Sequence, residues 1–520
     1  MFEELRLSTV RKKYKIEQEN VMLYHFNRKK VLGYVAACCT ALMLLTIYPS
    51  NGFAQASMEK RMQLLEATLK DLLDRDVAKD KEIARLKRAL GKKRGIKKKS
   101  GHSGHSDHSG HSDHSGHSDH HGSHSDPHDS HDESLASTNV QGRKVALDYL
   151  GLSVNMAGGY SSEPSAVSQN LTAGGHDPKA SGFRLQAADF AMMGSVERAF
   201  DAELHIAFHI NQLTGATIVD LEEAFMRTNS LPYGLDIEAG HMFTEFGVHN
   251  PKHLHDWEWI DQPVVISRMF GPDGMRQTGM RVGWETPKVG LWKAHLHVGA
   301  QNPTGETMKS FLNNDETLSD RTRNKGNVNG LDDLVYLTRW DNRFDFGKTK
   351  VRAGFSGVYG PNATGQSANT QIYGMDLTVK HALAKKWDLR WTNELMYRRF
   401  QAAFDEAGGF EADNLIDHGF YTQVALEFNN TYWAGFRYER ATGSGDEDTR
   451  DSNSDLDQRQ RYSPIVGWRF APNGNLRLQY NYDKADHLNE VDTKDDPSAH
   501  AFWFGLDWTF GAGSKGHHDH

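Results

Sequence analysis

Two stretches of the chain concentrate side chains that are able to bind metal ions. The first covers residues 243–279 and reads FTEFGVHNPKHLHDWEWIDQPVVISRMFGPDGMRQTG. Its imidazoles and carboxylates are Glu245, His249, His253, His255, Asp256, Glu258 and Asp261. Imidazole nitrogen and carboxylate oxygen are common ligands of zinc and of similar divalent ions. His253 and His255 are close enough in sequence to share one ion in either an extended or a tightly turned segment.

The second stretch, residues 101–134, is a low-complexity tract in which histidine returns every third residue over its first half. Its histidines are His102, His105, His108, His111, His114, His117, His120, His121, His124, His128 and His131. In a polyproline II conformation such histidines line one side of the chain, roughly 9 Å apart. A Gly/Ser-rich chain bends readily, so the spacing favours weak, exchangeable metal binding that protonation near pH 6.5 reverses. The alternative is a hydrophilic spacer.

Composition narrows the class of protein that must position these residues. The chain has 520 residues, of which 38% are apolar and 10% aromatic, and its formal net charge is −8. This acidic balance does not point to nucleic acid. The values suit a large soluble protein or a β-barrel that hides half of each strand in a polar lumen.

The N-terminal part is predicted to be a targeting segment. Residues 28–30 are basic, a long apolar run follows, and AQA at 54–56 is a small-x-small cleavage site. This is the pattern of a secretory signal peptide, which we place at 22–56; we expect residues 1–21 to be a non-native extension. An uncleaved membrane anchor and a lipoprotein attached through Cys38 are the alternatives. Cleavage would remove both cysteines of the chain, and with them any disulfide or thiolate metal site.

Two further segments precede the largest part of the chain. Residues 57–90 are predicted to form a coiled coil, with a single amphipathic helix as the alternative. The apolar residues on its 3- and 4-residue steps are Met58, Met62, Leu65, Leu69, Leu72, Ile83, Leu86 and Leu90. Residues 91–142 contain almost no large apolar residue, so we expect a disordered basic and His-rich linker.

From about residue 145 to residue 510, apolar and polar residues alternate over segments that turn residues separate. In LRLQYNYD, for example, Leu476 and Leu478 share one face, and Arg477 and Gln479 share the other. The alternation predicts sixteen strands, near 147–158, 182–194, 200–213, 217–229, 232–244, 276–286, 289–301, 331–343, 348–360, 370–381, 386–400, 416–429, 431–442, 459–470, 475–486 and 499–510.

Two observations favour an all-β transmembrane β-barrel at 143–510 over a soluble sheet. A His-containing tail at 511–520 follows the barrel. Connections are alternately short and long, as in barrels with short periplasmic turns and long external loops. The last strand has a continuous aromatic band that is typical of a barrel-closing strand, formed by Phe502, Phe504, Leu506, Trp508 and Phe510. Both chain termini and the His tract would then be periplasmic.

One segment carries a family resemblance. The sequence GHMFTEFGVHNPKHLHDWEWIDQPVVISRMFGPDG resembles the signature of a porin-like family of bacterial outer-membrane proteins that are often labelled zinc-regulated outer-membrane receptors. The matching residues are Phe246, Gly247, Asn250, His253, His255, Trp257, Asp261 and Pro263. The resemblance implies an outer-membrane protein linked to metal supply. A TonB-dependent receptor would need a plug domain, which does not fit in residues 57–142, and the preceding coiled coil looks like that of trimeric porins.

Polar residues of the predicted strands should line the lumen, and those singled out are Glu203, His205, His209, Lys293, His295 and His297. His205 and His209 would be about 13 Å apart, too far to share an ion. His295 and His297 are close enough to do so, but simple lumen lining is favoured. Residues 245–275 form the third external loop, which in sixteen-stranded porins commonly folds inward. Packing against the barrel wall, constriction of the channel and a metal site all remain open for this loop.

We therefore expect an outer-membrane porin-like channel for passive passage of small solutes, biased to divalent metal ions such as zinc, with a metal-buffering linker. The alternative is an outer-membrane structural tether or metal-binding scaffold without channel activity. No Gly-x-Ser-x-Gly motif or carboxylate pair indicates an enzyme. No cofactor is required, although weakly bound zinc is expected. The expected partners are outer-membrane lipid, the barrel-assembly machinery and further copies of the chain, with a trimer as one arrangement.

Overall fold

The computed structural model describes residues 134–140, 143–171, 174–197, 199–212, 214–229, 231–313, 318, 321–443, 457–486, 488 and 498–513. The predicted extension, signal peptide and coiled coil lie outside the described residues, as do the histidines of the tract and of the tail. Those predictions therefore remain predictions.

The described residues form seventeen antiparallel strands, and sixteen of them close into a barrel. The strands are β1 (Ala136–Val140), β2 (Arg143–Ser161), β3 (Gly182–Val196), β4 (Phe200–Ile210), β5 (Thr217–Thr228), β6 (Leu235–Phe243), β7 (Arg276–Glu285), β8 (Trp292–Gln301), β9 (Val335–Asp345), β10 (Thr349–Pro361), β11 (Asn369–Ala384), β12 (Trp387–Ala402), β13 (Asp413–Phe428), β14 (Tyr432–Gly443), β15 (Arg459–Ala471), β16 (Gly474–Ala485) and β17 (Ser498–Gly513). From β2 onward each strand pairs with its sequence neighbours, and β17 pairs with β2. The prediction of a closed sixteen-stranded antiparallel barrel is confirmed.

The barrel is polar inside and apolar outside. On β16, Arg477 and Asn481 are at most 1% exposed, whereas Leu478 between them is 55% exposed. On β17, Phe502 is 59% exposed and Trp503 only 2%. The predicted aromatic band of β17 lies on this outer face, and each of its residues is at least partly exposed. The alternation of the sequence thus separates a polar lumen from an apolar outer surface.

Short and long connections alternate as the sequence predicts, with two differences in detail. The turn between β15 and β16 is formed by Pro472 and Asn473, and Gly474 already pairs with Ala471. Asn-Gly is a common hairpin turn pair, but here Gly474 belongs to the strand and not to the turn. The short strand β1 pairs with the beginning of β2 and lies within the stretch predicted as a linker.

Two short α-helices lie in the long connections. Helix α1 (Ser165–Leu171) lies between β2 and β3, and α2 (Val264–Phe270) lies between β6 and β7. Every residue of α2 is buried, and the helix ends at Gly271, whose φ of 96° suits glycine. A seven-residue helix is marginal alone, so tertiary packing must stabilise α2. No helix among the described residues is long and apolar enough to cross a membrane.

Arginine–carboxylate pairs occupy much of the lumen. Adjacent strands supply the partners in Arg461–Asp483, at 2.7 Å, and in Arg477–Asp507, at 2.6 Å. Buried charges are tolerated when they are paired and hydrogen-bonded, and these pairs meet that condition.

Candidate functional site

The connection between β6 and β7, residues 244–275, folds into the lumen and crosses it. His253 contacts β5, Ile260 accepts through its carbonyl from Gln186 on β3, and Trp259 donates through Nε1 to the Ser463 carbonyl on β15. We call this segment the lumen loop. Its side chains therefore contact opposite walls of the barrel.

Apolar packing fixes the second half of the lumen loop. Phe246, Val265, Ile266, Met269, Phe270 and Met275 form one buried cluster with residues of the wall. The Phe246 ring lies directly over Gly374 on β11, where a Cβ atom would be 2.4 Å from the ring. The absence of a side chain at Gly374 makes this approach possible. Packing against the wall, one of the three interpretations open from the sequence, is a real property of the loop.

A single carboxylate fixes the middle of the loop to the opposite wall. Asp261 is fully buried and pairs with Arg437 on β14 and with Arg461 on β15. It also accepts from Gln479 and Asn481 on β16, each at 2.7 Å. Burial raises the pKa of Asp261, but the two arginines outweigh it and hold the pKa below its usual value. Asp261 is thus an ionised anchor and not a free metal ligand.

The chemistry of a metal site is concentrated at the other end of the loop, around His253. Its Nδ1 lies 2.9 Å from Glu222 Oε2, and its Nε2 lies 2.9 Å from Glu223 Oε2. All three side chains are buried. Burial lowers the pKa of His253, but the two carboxylates raise it well above its ordinary value.

A β-bulge on β5 explains how two consecutive glutamates face the same histidine. His205 on β4 pairs with Glu223, and Ile206 pairs with Leu221, so Glu222 is an extra residue in the ladder. A bulge places two residues of one strand opposite one residue of its partner and re-aims a side chain. As a result, both Glu222 and Glu223 are buried in the lumen, although ordinary alternation would place them on opposite faces.

His205 and His255 extend the cluster along β3 and β4. The His205 ring stacks on His253 with centroids 3.9 Å apart and an interplanar angle of 18°. His205 Nε2 lies 2.8 Å from Glu203 Oε1, and its Nδ1 lies 3.3 Å from Asp189 Oδ2. His255 Nδ1 lies 3.2 Å from the same Asp189 oxygen. We call Asp189, Glu203, His205, Glu222, Glu223, His253 and His255 the imidazole–carboxylate cluster.

The cluster needs positive charge between its nitrogens and oxygens. A neutral imidazole has one N–H donor and one lone pair, yet both nitrogens of His205 and of His253 face carboxylate oxygens. Each ring must therefore carry a second proton or share a cation with its carboxylate. Two imidazolium rings 3.9 Å apart repel by about 4 kcal/mol at an effective dielectric constant of ~20. A shared cation avoids that repulsion.

The other predicted loop residues lie outside the cluster. Glu245 pairs with Arg281 at 2.6 Å, and Glu258 pairs with Arg390. His249 is partly buried against Trp257, 4.8 Å between ring centroids, and desolvation together with Lys252 lowers its pKa well below the usual value. The side chain of Asp256 is 52% exposed, 3.7 Å from His255 Nε2. Of the predicted metal-binding loop residues, His253 and His255 are thus the two that the structure brings together.

The predicted lumen-facing residues lie on the inner face. Glu203 and His205 belong to the cluster, whereas His209 contacts His176, with ring centroids 5.1 Å apart. His205 and His209 therefore have separate partners, as their separation predicts. His295 and His297 lie side by side, with ring centroids 3.9 Å apart, and His295 pairs with Asp236 at 2.9 Å. Lys293 pairs with Glu285 at 2.5 Å.

Four members of this region were not predicted from the sequence. Asp189, Glu222 and Glu223 belong to the cluster, and His176 lies 3.5 Å from Glu222 Oε1. The adjacent residues Glu222 and Glu223 could have been identified from the sequence. An ionised side chain on the lipid face of a barrel strand is unfavourable, so two consecutive carboxylates in a strand indicate a bulge.

Comparisons with known proteins give distant similarities. No family model matches the chain. An uncharacterized protein of Aquifex aeolicus is 27% identical over 275 residues, which are 49% of this chain and 54% of that protein. The chain therefore spans about half the length of the curated relative it matches.

Solved structures similar to the chain include outer-membrane proteins. An anion-selective porin from Comamonas acidovorans is 9% identical, with a TM-score of 0.44 over 70% of this chain and 100% of the porin. The outer-membrane channel DcaP of Acinetobacter baumannii is 10% identical, with a TM-score of 0.45 over 73% of this chain and 100% of DcaP. OmpT, an outer-membrane protein of Vibrio cholerae, is 9% identical, with a TM-score of 0.40 over 72% and 100% of the two chains.

Proposed function

We propose that the chain is an outer-membrane porin-like channel that passes small solutes passively. The observation that carries this proposal is the closed barrel with a polar lumen and an apolar outer surface. A soluble protein rarely exposes so much contiguous apolar surface, whereas lipid covers it. The partners we propose are accordingly outer-membrane lipid and the barrel-assembly machinery. The short turns face the periplasm, and so do both ends of the chain.

The lumen loop is the element that sets selectivity in this proposal. It crosses the lumen and places the imidazole–carboxylate cluster on the wall formed by β3, β4 and β5. Rings of charged side chains select ions of opposite sign, and imidazole adds a preference for divalent d-block ions. We therefore propose a bias to divalent metal ions such as zinc. The His-rich linker buffers those ions near the periplasmic mouth, and the coiled coil assembles the chain, as a trimer in the simplest case.

One observation favours a second candidate function, an outer-membrane tether or scaffold without channel activity. All seven residues of α2 are buried inside the barrel, so the lumen loop fills a substantial part of the lumen. In that case the barrel anchors the N-terminal segments, and no solute passes. Neither candidate function is enzymatic.

Planar-bilayer recording on the purified full-length protein separates the two functions. A channel gives stepwise current that Zn²⁺ alters, and deletion of residues 101–134 leaves the single-channel current unchanged because selectivity lies in the loop. Absence of current at every protein concentration and voltage would exclude the channel and favour the tether or scaffold. Current that Zn²⁺ does not alter would keep the porin and remove the metal bias.

A further inference from the structure

The structure assigns a specific divalent-metal site to the wall of the barrel. We propose that Glu203, His205 and Glu223 bind one ion of the zinc class that stays with the protein, and that His253, which contacts Glu223, attaches the lumen loop to this site. The ion is a resident part of the fold and not the transported solute. The inference therefore does not depend on the proposed channel.

The ligand atoms are at the separations that one ion requires. Glu203, His205 and Glu223 each offer one ligand atom, and the three atoms lie within 4.8 Å of one another. His205 Nε2 is 2.8 Å from Glu203 Oε1, and His253 Nε2 is 2.9 Å from Glu223 Oε2. Ligands about 2.0–2.1 Å from zinc lie roughly 2.9 Å apart at right angles and roughly 3.3 Å apart at the tetrahedral angle. The separation of His205 Nε2 and Glu203 Oε1 matches that of neighbouring ligands at right angles, and the separation of His253 Nε2 and Glu223 Oε2 is that of a hydrogen bond.

The second nitrogen of His205 has the partner that metal-binding histidines usually have, and His253 has a similar one. His205 Nδ1 faces Asp189, and His253 Nδ1 faces Glu222. Such a carboxylate accepts the ring N–H, fixes the tautomer and orients the other nitrogen toward the ion. The overlapping group of Asp189, His205 and His253 is therefore assigned to orientation of the two rings and not to a second ion.

A further observation favours a ligand in this region over a purely structural cluster. Asp189 is 3% exposed, yet its Oδ1 is buried without a hydrogen-bond partner among the described residues. Such an atom is costly to leave unsatisfied, and a strongly polarised neighbouring ring or ion offsets that cost. The four carboxylates Asp189, Glu203, Glu222 and Glu223 concentrate negative charge at this place, and a divalent cation reduces it.

The donor set defines the class of ion. One imidazole and two carboxylates suit zinc, cobalt and nickel, whereas magnesium and calcium prefer ligand sets made of oxygen alone. Because all three side chains are at most 9% exposed, exchange of the ion with solvent should be slow compared with exchange from the His-rich tract. His253 of the lumen loop contacts Glu223, so ion binding is also linked to the position of the loop.

Retention of zinc by the full-length protein in detergent micelles tests the site. The protein is loaded with Zn²⁺ and exchanged against nitrilotriacetate, which strips weak sites such as the tract, and bound zinc is measured by mass spectrometry. We expect one zinc per chain. Loss of all zinc from the wild-type protein would overturn the inference, whatever the conductance result.

Variants locate the ion. His205→Gln and Glu223→Gln should each weaken zinc binding by more than roughly 100-fold, and Asp189→Asn by roughly 10–100-fold, the range of an orienting carboxylate. His295→Gln is the matched control, since His295 is also a lumen histidine 2.9 Å from a carboxylate. Equal losses in the control and in His205→Gln would refute the assignment. Retention of zinc by both His205→Gln and Glu223→Gln would also refute the assignment. Heat-modifiable migration in gel electrophoresis shows that each variant barrel is folded.

Two further measurements do not depend on stoichiometry. Co²⁺ in place of zinc should give the strong visible absorption of a four-coordinate site, which Glu203→Gln abolishes. Hydrogen exchange of residues 250–256 should slow when zinc binds, because the ion fixes this part of the loop. Unchanged exchange would show that the ion does not hold the loop.

Discussion

Replacement of Asp261 by asparagine should release the middle of the lumen loop from the wall. Asp261 is fully buried and accepts hydrogen bonds from Arg437, Arg461, Gln479 and Asn481. Asparagine keeps one acceptor oxygen, but its NH₂ group would face donors. It also removes the charge that holds the two arginines.

The structure allows an estimate of the size of this effect. Removing one partner of a buried ion pair typically costs about 3–5 kcal/mol. Here each arginine keeps a second partner, Glu439 for Arg437 and Asp483 for Arg461, both at 2.7 Å. We therefore expect a value at the lower end, about 3 kcal/mol, which corresponds to roughly a 150-fold change in the opening equilibrium of the loop.

Hydrogen–deuterium exchange measures that equilibrium directly. Amide groups of the segment around α2, such as that of Gly271, which donates to the Ser267 carbonyl at 2.9 Å, should exchange roughly 150-fold faster in Asp261→Asn. Asp341→Asn is the matched control, since Asp341 is equally buried and pairs with Arg343 and Arg352 on the wall. An increase below about fivefold in Asp261→Asn, or the same increase in the control, would refute the proposed anchoring.

Three other predictions concern the loop and the N-terminal tract. His249 should stay neutral below pH 6.5, because burial and Lys252 depress its pKa. The unfolded chain binds a proton near pH 6.5 and the folded chain does not, so stability should fall as the pH drops below ~6.5. Imidazole carbon NMR, assigned with His249→Asn, tests this, and a midpoint near pH 6.5 would contradict it. Gly374→Ala should destabilise the barrel by about 1–3 kcal/mol, because the new methyl group overlaps the Phe246 ring, whereas Gly357→Ala, with its nearest atom 3.6 Å away, should cost less. Comparison of urea midpoints checks this pair, and equal shifts would count against it. Deletion of residues 101–134 should lower the number of weakly bound zinc ions without changing single-channel current, and unchanged zinc stoichiometry would remove metal buffering from the tract.

The barrel could be predicted from the sequence because alternation is a local property. Each strand shows its two faces within about ten residues, as the segment from Leu476 to Asp483 does, and no long-range contact is needed to interpret it. The alternation of short and long connections then shows which strand ends lie at the same end of the barrel. The exact turn at Pro472 and Asn473 depends on register, which alternation leaves uncertain by one residue.

The candidate site was predicted only in part because it depends on contacts between distant segments. His253 and His255 could be selected from their spacing, but their partners lie on three strands 30 to 66 residues earlier in the chain. Strict alternation assigns Glu222 and Glu223 to opposite faces of β5. The bulge at Glu222 interrupts this alternation, so both side chains face the lumen. Asp261 and His249 looked equivalent to His253 in the sequence, and only the arginines around Asp261 and the buried site of His249 distinguish them.

Two of the contacts that attach the lumen loop to the barrel wall differ in chemistry. On one wall, arginines pair with Asp261, and such pairs stay ionised over the whole physiological range of pH. On the other wall, His253 is attached to carboxylates, and the attachment needs either protons or a metal ion. The contact at Asp261 is therefore constant, whereas the contact at His253 depends on protons or on the bound ion. Removal of the ion should accordingly loosen the loop near His253 and β5 and leave its middle in place at Asp261.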